Sequence, residues 1–216
     1  MSTKPKAHEL RLIRTLNEPP LVQQFLDRFA YNHEEQGATI RTFRGVLRAK
    51  KAHCLEAALF AATVLEHHGC PPLLLDLRSW DALDHVLFLY RIDGRWGSIA
   101  RSRDPGLHGR KPVFASLSEL VQSYHAPYVD LTGRIRGYSV FDLRKLKRCN
   151  WRFSERNVWA VERALQNNPG HRCAMPDQEY DYWHRRYRRY KKRYPDKKPR
   201  YFPDKQRWLS AGPPAP

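Results

Sequence analysis

The sequence has little of what marks several large classes of protein. Among its 216 residues there are only four cysteines, which lie far apart and form no CxxC pair. This usage argues against a disulfide framework and favours a reducing, cytoplasmic setting. No stretch approaches the roughly 18 apolar residues that a membrane-spanning helix needs. Glycines at GxGxxG or Walker spacing are missing as well, so we expect no nucleotide cofactor.

A metal site is not expected either. His67 and His68 are adjacent on a predicted helix, and side chains one position apart point about 100° away from each other. They cannot easily face one ion together with the nearby Cys70, whereas histidines at a helix C-terminus do complement the helix dipole. His171 and Cys173 are too isolated to form a zinc site.

Acidic residues are scarce: 22 Asp and Glu stand against 39 Lys and Arg, which gives a net charge of +17. Residues 180–208 concentrate this excess and carry prolines but no aliphatic stripe, so they cannot build a core of their own. We therefore expect one folded domain over residues 1–168 and a basic, aromatic-rich extension over residues 169–216.

The extension alternates basic with aromatic residues. Trp183, Tyr187, Tyr190 and Tyr194 recur at helical spacing and predict a helix with one aromatic face. Such a segment can neutralise phosphates and stack on unpaired bases, so residues 180–208 suggest a nucleic acid or another acidic partner, an acidic membrane surface included. The alternative is a solvated extension whose aromatic side chains pack back onto the body.

The body reads as a mixture of helices and antiparallel strands. Asp93-Gly94 is a hairpin signal because a type I′ turn needs positive φ at both positions. Predicted strands are residues 73–77, 85–92 and 95–100, and predicted helices are residues 20–31, 54–68, 116–124 and 155–166, with Ser116 or Ser118 as the cap of the third. The fold class expected is α+β.

Cys54 opens the most secure of these helices. Unpaired N–H groups and the positive end of the helix dipole stabilise an anion there, and Lys50, Lys51 and His53 act in the same direction. This position favours a reactive thiolate. An isolated helical cysteine is more often a small buried side chain, so the interpretation depends on what surrounds it.

His85 begins the strand that leads into the hairpin. A strict two-residue turn would place it opposite Ser102, with Asp104 as its diagonal neighbour. An imidazole can take the thiol proton and return it to a leaving group, and a carboxylate can orient the imidazole. Cys54, His85 and Asp104 are therefore the candidate catalytic residues, with Ser102 or Asp84 as substitutes for Asp104.

The order of these motifs is informative. The chain resembles the transglutaminase-like superfamily in the order of four motifs. These are a cysteine in His53-Cys54-Leu55-Glu56, a histidine in Asp84-His85-Val86, an aspartate in Asp104-Pro105, and the segment at 109–114. The resemblance extends over residues 39–138 and is similar to the small bacterial cytoplasmic branch. It implies a papain-like α+β fold, a Cys-His-Asp triad, and acyl transfer or amide hydrolysis on a protein, peptide or other amide.

Thiol chemistry on an acyl group also needs donors for the developing oxyanion. The backbone N–H of Cys54 is the natural first donor. The side-chain N–H groups of Trp80 and Asn32 are candidates for the second. A binding module without catalysis, acting through the basic extension, is the alternative function.

Overall fold

The structure is a computed structural model that describes residues 4–197, 199 and 205–209. Over these residues the chain forms eight α-helices: α1 Ala7–Thr15, α2 Pro19–Asp27, α3 Phe43–Ala49, α4 Cys54–Glu66, α5 Leu117–Gln122, α6 His125–Tyr128, α7 Trp159–Gln166 and α8 Asp177–Arg193. The strands are β1 Ala30–Tyr31, β2 Lys51–Ala52, β3 Leu73–Ser79, β4 His85–Ile92, β5 Arg95–Ile99, β6 Arg110–Phe114, β7 Ile135–Asp142 and β8 His171–Arg172. The α+β class is confirmed.

The strands form two sheets. Six of them make an antiparallel sheet in the order β6-β5-β4-β3-β7-β8, while β1 and β2 form a short parallel pair. In the large sheet, β3 lies between β4 and β7, although β7 follows it by more than 50 residues. Long-range pairing therefore sets the centre of the fold.

Both faces of the large sheet are covered by helices. Along β3 and β4 the buried side chains alternate between two apolar clusters, one facing α4 and the other facing α5 and α6. Helix α4 is apolar all round, and every residue from Leu55 to Leu65 is buried, as expected of a helix at the centre of a domain. This packing fixes the direction in which the N-terminus of α4 points.

The predicted hairpin is confirmed, but the pairing of His85 with Ser102 that was predicted from it is wrong. Asp93 and Gly94 have φ of 48° and 76°, and the register runs from Ile92 opposite Arg95 to Phe88 opposite Ile99. Strand β5 ends there, so His85 does not face Ser102 across this ladder. His85 pairs instead with Leu77 of β3 on its other side.

Several predicted helices have different bounds. The first ends at Asp27 rather than residue 31, because Ala30 and Tyr31 leave the helix to pair with Lys51 and Ala52. The helix expected from residue 155 begins at Trp159, since the N–H of Val158 bonds the carbonyl of Ile40 at 2.9 Å. The α5 helix is confirmed, with Ser116 accepting from the N–H of Glu119 at 3.1 Å.

Candidate functional site

Cys54 is the first residue of α4, as the sequence predicts. The parallel β1-β2 pair leads the chain into this position. Just inside the helix, the buried carboxylate of Glu56 accepts hydrogen bonds from the N–H of His53 at 3.2 Å and the N–H of Arg41 at 3.0 Å. The Thr39 hydroxyl donates to it at 2.8 Å. These bonds hold the segment before the helix, and so they fix where the sulfur lies.

Two imidazoles lie beside the Cys54 sulfur. Both His53 and His85 are within hydrogen-bonding reach of it. The Nε2 of His53 lies 2.7 Å from the carbonyl oxygen of Thr39, and the Nε2 of His85 lies 2.9 Å from that of Leu107. A carbonyl can only accept, so each Nε2 carries a proton and donates it. The Nδ1 of each ring is thereby left for the sulfur.

The electrostatics of this cluster favour the charged pair. Burial by itself raises the pKa of the Cys54 thiol, but hydrogen bonds and charge from His53 and His85 outweigh it and lower the pKa well below its ordinary value. Burial likewise opposes protonation of His53. Its contacts with Cys54, Glu56 and the Thr39 carbonyl nevertheless raise the pKa of His53 to about 9. Both shifts favour a thiolate beside an imidazolium over the neutral pair.

The meeting of Cys54 with His85 agrees with the sequence interpretation, whereas the contact expected for Asp104 is not formed. The Nε2 proton of His85 goes to the carbonyl of Leu107, and no hydrogen bond or ion pair joins the described side chains of His85 and Asp104. Asp104 lines the same cleft, with its carboxylate 3.7 Å from Arg103. Its place in a triad stays a prediction without this contact.

The two substitutes for Asp104 are also engaged elsewhere. The Ser102 hydroxyl accepts from the N–H of Asp104 at 3.0 Å, and the Asp84 carboxylate accepts from the N–H of Ser79 at 2.8 Å. Both side chains line the cleft. The group that bonds the His85 ring is the backbone carbonyl of Leu107, whereas the sequence interpretation expected a side chain there. A backbone carbonyl cannot be identified from residue type.

Neither candidate for the second oxyanion donor is placed to serve. The amide nitrogen of Asn32 donates to Thr39 at 2.9 Å and to Glu56 at 3.1 Å, which uses both of its protons. Trp80 is 61% exposed and does not line the cleft. The N–H of Cys54, in the first turn of α4, stays the natural first donor.

The cluster opens into a cleft of about 970 Å³. Its walls come from the segment after β1, the turn before β4, the loop between β5 and β6, and α6. Tyr187 and Lys191 of α8 line it as well. A molecule that enters the cleft would therefore meet these two side chains of α8.

The region after residue 168 is attached to the body at several points. Arg172 and His171 of β8 pair with Gly137 and Tyr138 of β7. Arg134 donates to the carbonyl of Met175 at 2.6 Å, and its guanidinium lies 4.9 Å from the ring of Tyr180. Where the domain ends stays a prediction, but these contacts dock α8 beside the cleft.

Helix α8 has two different faces. Trp183, Tyr187 and Tyr190, predicted to share one face, are half-buried within it, while Tyr194 caps its C-terminus. Six basic side chains of the helix are exposed: Arg185, Arg186, Arg188, Arg189, Lys192 and Arg193. Residues 198, 200–204 and 210–216 of the extension lie outside the described part of the chain.

Two of the histidines weighed as metal ligands bond to the backbone. His67 bonds the carbonyl of Thr63 and His68 that of Ile13, each at 2.8 Å. Within the described ranges, no group of three or more histidine, cysteine, aspartate or glutamate side chains is arranged to hold a metal ion. In the same part of the chain, no helix combines the length and apolarity needed to cross a membrane.

Comparison with protein-family models and with curated proteins finds no match for the chain. Its function must therefore be inferred from the geometry around Cys54.

Proposed function

We propose that the protein is a cysteine-dependent acyl-transfer enzyme of the transglutaminase-like kind, with a papain-like arrangement of helix and sheet. The observation that carries the proposal is that two imidazoles lie within hydrogen-bonding reach of the Cys54 sulfur in the wall of a cleft. Thiolates with a lowered pKa in a partly exposed, electropositive setting are the reactive ones. Cys54 is partly exposed.

The two histidines have separate roles. His53 is a standing imidazolium that stabilises the thiolate, since its pKa lies well above neutrality. His85 takes up the proton that Cys54 releases and exchanges protons with the reacting groups. The Leu107 carbonyl keeps the Nδ1 of His85 facing the sulfur.

The reaction proceeds in two steps. The thiolate of Cys54 attacks the carbonyl carbon of an amide, and the C=O electron pair moves to oxygen, where the N–H of Cys54 can donate to it. The intermediate collapses by breaking the C–N bond, and the leaving amine takes the proton from His85. Water or an amine then loses a proton to His85 as it attacks the thioester, and the thiolate leaves.

Selective alkylation tests the nucleophile. Iodoacetamide should label Cys54 about tenfold faster than Cys70 and Cys149 at pH 7, because burial raises the pKa of those two thiols. The labelling of each cysteine is followed by mass spectrometry on the folded chain. His85→Ala should reduce the excess rate of Cys54, because His85 contributes to the lowered pKa of its thiol. Equal rates for all three cysteines in the wild type would reject a reactive Cys54.

Turnover tests the reaction class. Incubation with a glutamine-containing peptide and a primary amine should release ammonia and join the amine to the peptide, and Cys54→Ala should abolish both. Ammonia release without amine incorporation would identify hydrolysis. If Cys54→Ala still releases ammonia and still incorporates the amine, the activity lies outside this cleft.

A second candidate function is binding of a polyanion by α8. The observation that favours it is the exposed basic face of this helix, opposite the half-buried aromatic stripe. Because that stripe is partly covered, binding would use phosphate contacts more than base stacking. Loss of salt-dependent binding on neutralising the basic face is the expected signature.

A further inference from the structure

Arg110 is a fully buried arginine beside the loop that orients His85. It begins β6, and its side chain has no exposed surface. No carboxylate in the described ranges forms an ion pair with it. A buried charge without a counter-ion is costly, so its environment must satisfy it in another way.

Five hydrogen bonds account for the five N–H protons of this guanidinium. Nη1 donates to the carbonyls of His108 at 2.7 Å and Gly109 at 3.4 Å, and Nη2 to those of Gly106 at 2.9 Å and Ser123 at 3.2 Å. Nε donates to the Ser123 hydroxyl at 3.1 Å. Only the rigid fork of an arginine can make this set, because a lysine has three donors on one atom.

Two of these acceptors flank the partner of His85. Gly106 and His108 are the neighbours of Leu107, whose carbonyl receives the Nε2 proton of His85 at 2.9 Å. By holding the carbonyl on either side, Arg110 fixes the peptide units that aim the Leu107 carbonyl at the imidazole. The position of this carbonyl decides which nitrogen of His85 faces Cys54.

Aromatic rings cover both faces of the guanidinium. Its central carbon lies 3.9 Å from the ring centroid of Tyr124 and 4.0 Å from that of Trp208. Tyr124 in turn packs edge-on against His85, with ring centroids 6.5 Å apart. Cation-π contact on two sides offsets part of the desolvation of the charge.

Trp208 comes from the far end of the chain. It forms a bridge with Arg110, and the N–H of the next residue, Leu209, donates to the carbonyl of Gly109 at 3.3 Å. Neither Arg110 nor Trp208 lines the cleft. Residues 205–209, here called the C-terminal segment, are thus joined to the loop that orients His85. Trp208 does not reach the cleft.

We propose that Arg110 is a positioning residue for His85 and that Trp208 completes its clamp, which makes the C-terminal segment a structural part of the thiol site. This proposal rests on the proposed function, since it concerns the same Cys54-His85 pair. It predicts that residues more than 100 positions after Cys54 control the ionisation of its sulfur.

The test compares Arg110→Lys, Trp208→Leu and Trp208→Phe in the full chain. The pH profile of Cys54 alkylation is measured for each variant, together with its thermal unfolding. Arg110→Lys and Trp208→Leu should raise the midpoint by about one pH unit, so that the rate below the midpoint falls about tenfold. Trp208→Phe keeps an aromatic face on Arg110 and should retain most of the wild-type profile.

Arg44→Lys is the matched control. Arg44 is also buried and also bonds a backbone carbonyl, that of Phe153 at 2.7 Å, but it serves α1 and α3 rather than the loop of Leu107. It should lower the unfolding temperature and leave the midpoint of Cys54 unchanged. If Arg110→Lys fails to fold, the Trp208 pair carries the comparison.

The outcomes separate this proposal from the proposed function. A reactive wild-type Cys54 whose profile is unchanged in Arg110→Lys and Trp208→Leu would overturn the clamp and leave the thiol chemistry standing. An unreactive wild-type Cys54 would overturn the chemistry. In that case nitrogen NMR of the His85 ring still decides the clamp: the Nε2–H tautomer should dominate in the wild type and lose its dominance in Trp208→Leu. An unchanged tautomer would overturn it.

Discussion

At the scale of single residues, His53 distinguishes this site from a simple Cys-His pair. It precedes Cys54 in the chain, bonds the Thr39 carbonyl at 2.7 Å and lies 3.7 Å from a carboxylate oxygen of Glu34. These acceptors favour its protonated form. The positive charge of His53 next to the sulfur stabilises the thiolate in addition to what His85 contributes.

Replacing His53 should therefore change ionisation more than proton transfer. In His53→Gln the midpoint of thiolate formation, followed by its ultraviolet absorbance, should rise by about one pH unit or more, because the nearest cation is lost. The ordinary pKa of histidine is 6.5 and that of His53 is about 9. Stabilisation of the fold by the His53 charge is therefore complete below pH 6.5 and lost as the pH rises through 9.

His67→Gln is the control for this variant. His67 lies at the opposite end of the same helix and bonds only a local carbonyl among the contacts described, that of Thr63. It should leave the thiolate midpoint in place. A midpoint that stays at its wild-type value in His53→Gln would mean that His85 alone sets the ionisation of Cys54.

Residue types identified only part of the candidate site. Cys54 and His85 were identifiable because a thiol at a helix start and an imidazole at a strand start are side-chain signals. The partner of His85 is the backbone carbonyl of Leu107, which has no signature in the sequence. Asp104 was the candidate because a strict hairpin would make it the diagonal neighbour of His85 and because carboxylates commonly orient an imidazole.

At the scale of secondary-structure elements, a buried ion pair joins α1 to α3. Arg44 bonds Glu9 through two parallel contacts of 2.7 and 2.8 Å, and both side chains are almost fully buried. Burial raises the pKa of Glu9, but the bonds from Arg44 and from the N–H of Lys6 outweigh this and lower the pKa below 4.5. The pair holds the first helix onto the layer that contains α4.

Breaking the Glu9-Arg44 pair should lower the free energy of unfolding. Glu9→Gln leaves the Arg44 charge buried without its main partner, and we expect a loss of about 3 kcal/mol in the free energy of unfolding at pH 7. A group with a lowered pKa stabilises the fold above its ordinary pKa of 4.5 and ceases to do so as the pH falls through the lowered value. Chemical denaturation should therefore show less acid sensitivity below pH 4.5 in Glu9→Gln than in the wild type.

Glu155→Gln supplies the comparison. Its carboxylate also reaches Arg44, at 3.7 Å, but its side chain is 31% exposed. Partly exposed pairs contribute about 1 kcal/mol or less. If the two variants cost the same, burial of the Glu9 pair is not what stabilises the attachment of α1.

Local elements were more predictable than the contacts between them. Helix α4 and the β4-β5 hairpin follow from apolar spacing, a glycine stop and a two-residue turn, all within short windows. The β3-β7 pairing joins segments far apart in the chain, so no local pattern specifies it. The early end of α2 has the same cause, because the β1-β2 pairing overrides helix periodicity.

At the scale of the whole molecule, positive charge is concentrated in the second half of α8, where seven of the nine residues 185–193 are Lys or Arg. The exposed basic face of this helix gives the second candidate function its test. Changing Arg185, Arg188, Arg189 and Lys192 to glutamine should weaken binding to duplex DNA and reduce the slope of log affinity against log salt by about 3. Fluorescence anisotropy across a salt series measures both.

A variant with four other exposed cations replaced controls for net charge: Arg144, Lys145, Lys147 and Arg148. If it weakens binding as much as the α8 variant does, the attraction is a property of overall charge and the helix is not a dedicated surface. Single-stranded DNA should compete about as well as duplex DNA, since Trp183 and Tyr187 are half-buried. A strong preference for single strands would contradict this orientation of the aromatic stripe.

The bridge between Trp208 and Arg110 has one more consequence, for the borders of the large sheet. Strand β6 forms one border, and there the C-terminal segment covers its first residue while Pro112 lacks an N–H to offer a neighbour. The other border is β8, only two residues long. Exposed strand borders are where protein molecules add to one another and aggregate, and these features limit such pairing at Arg110, at Pro112 and along the short β8.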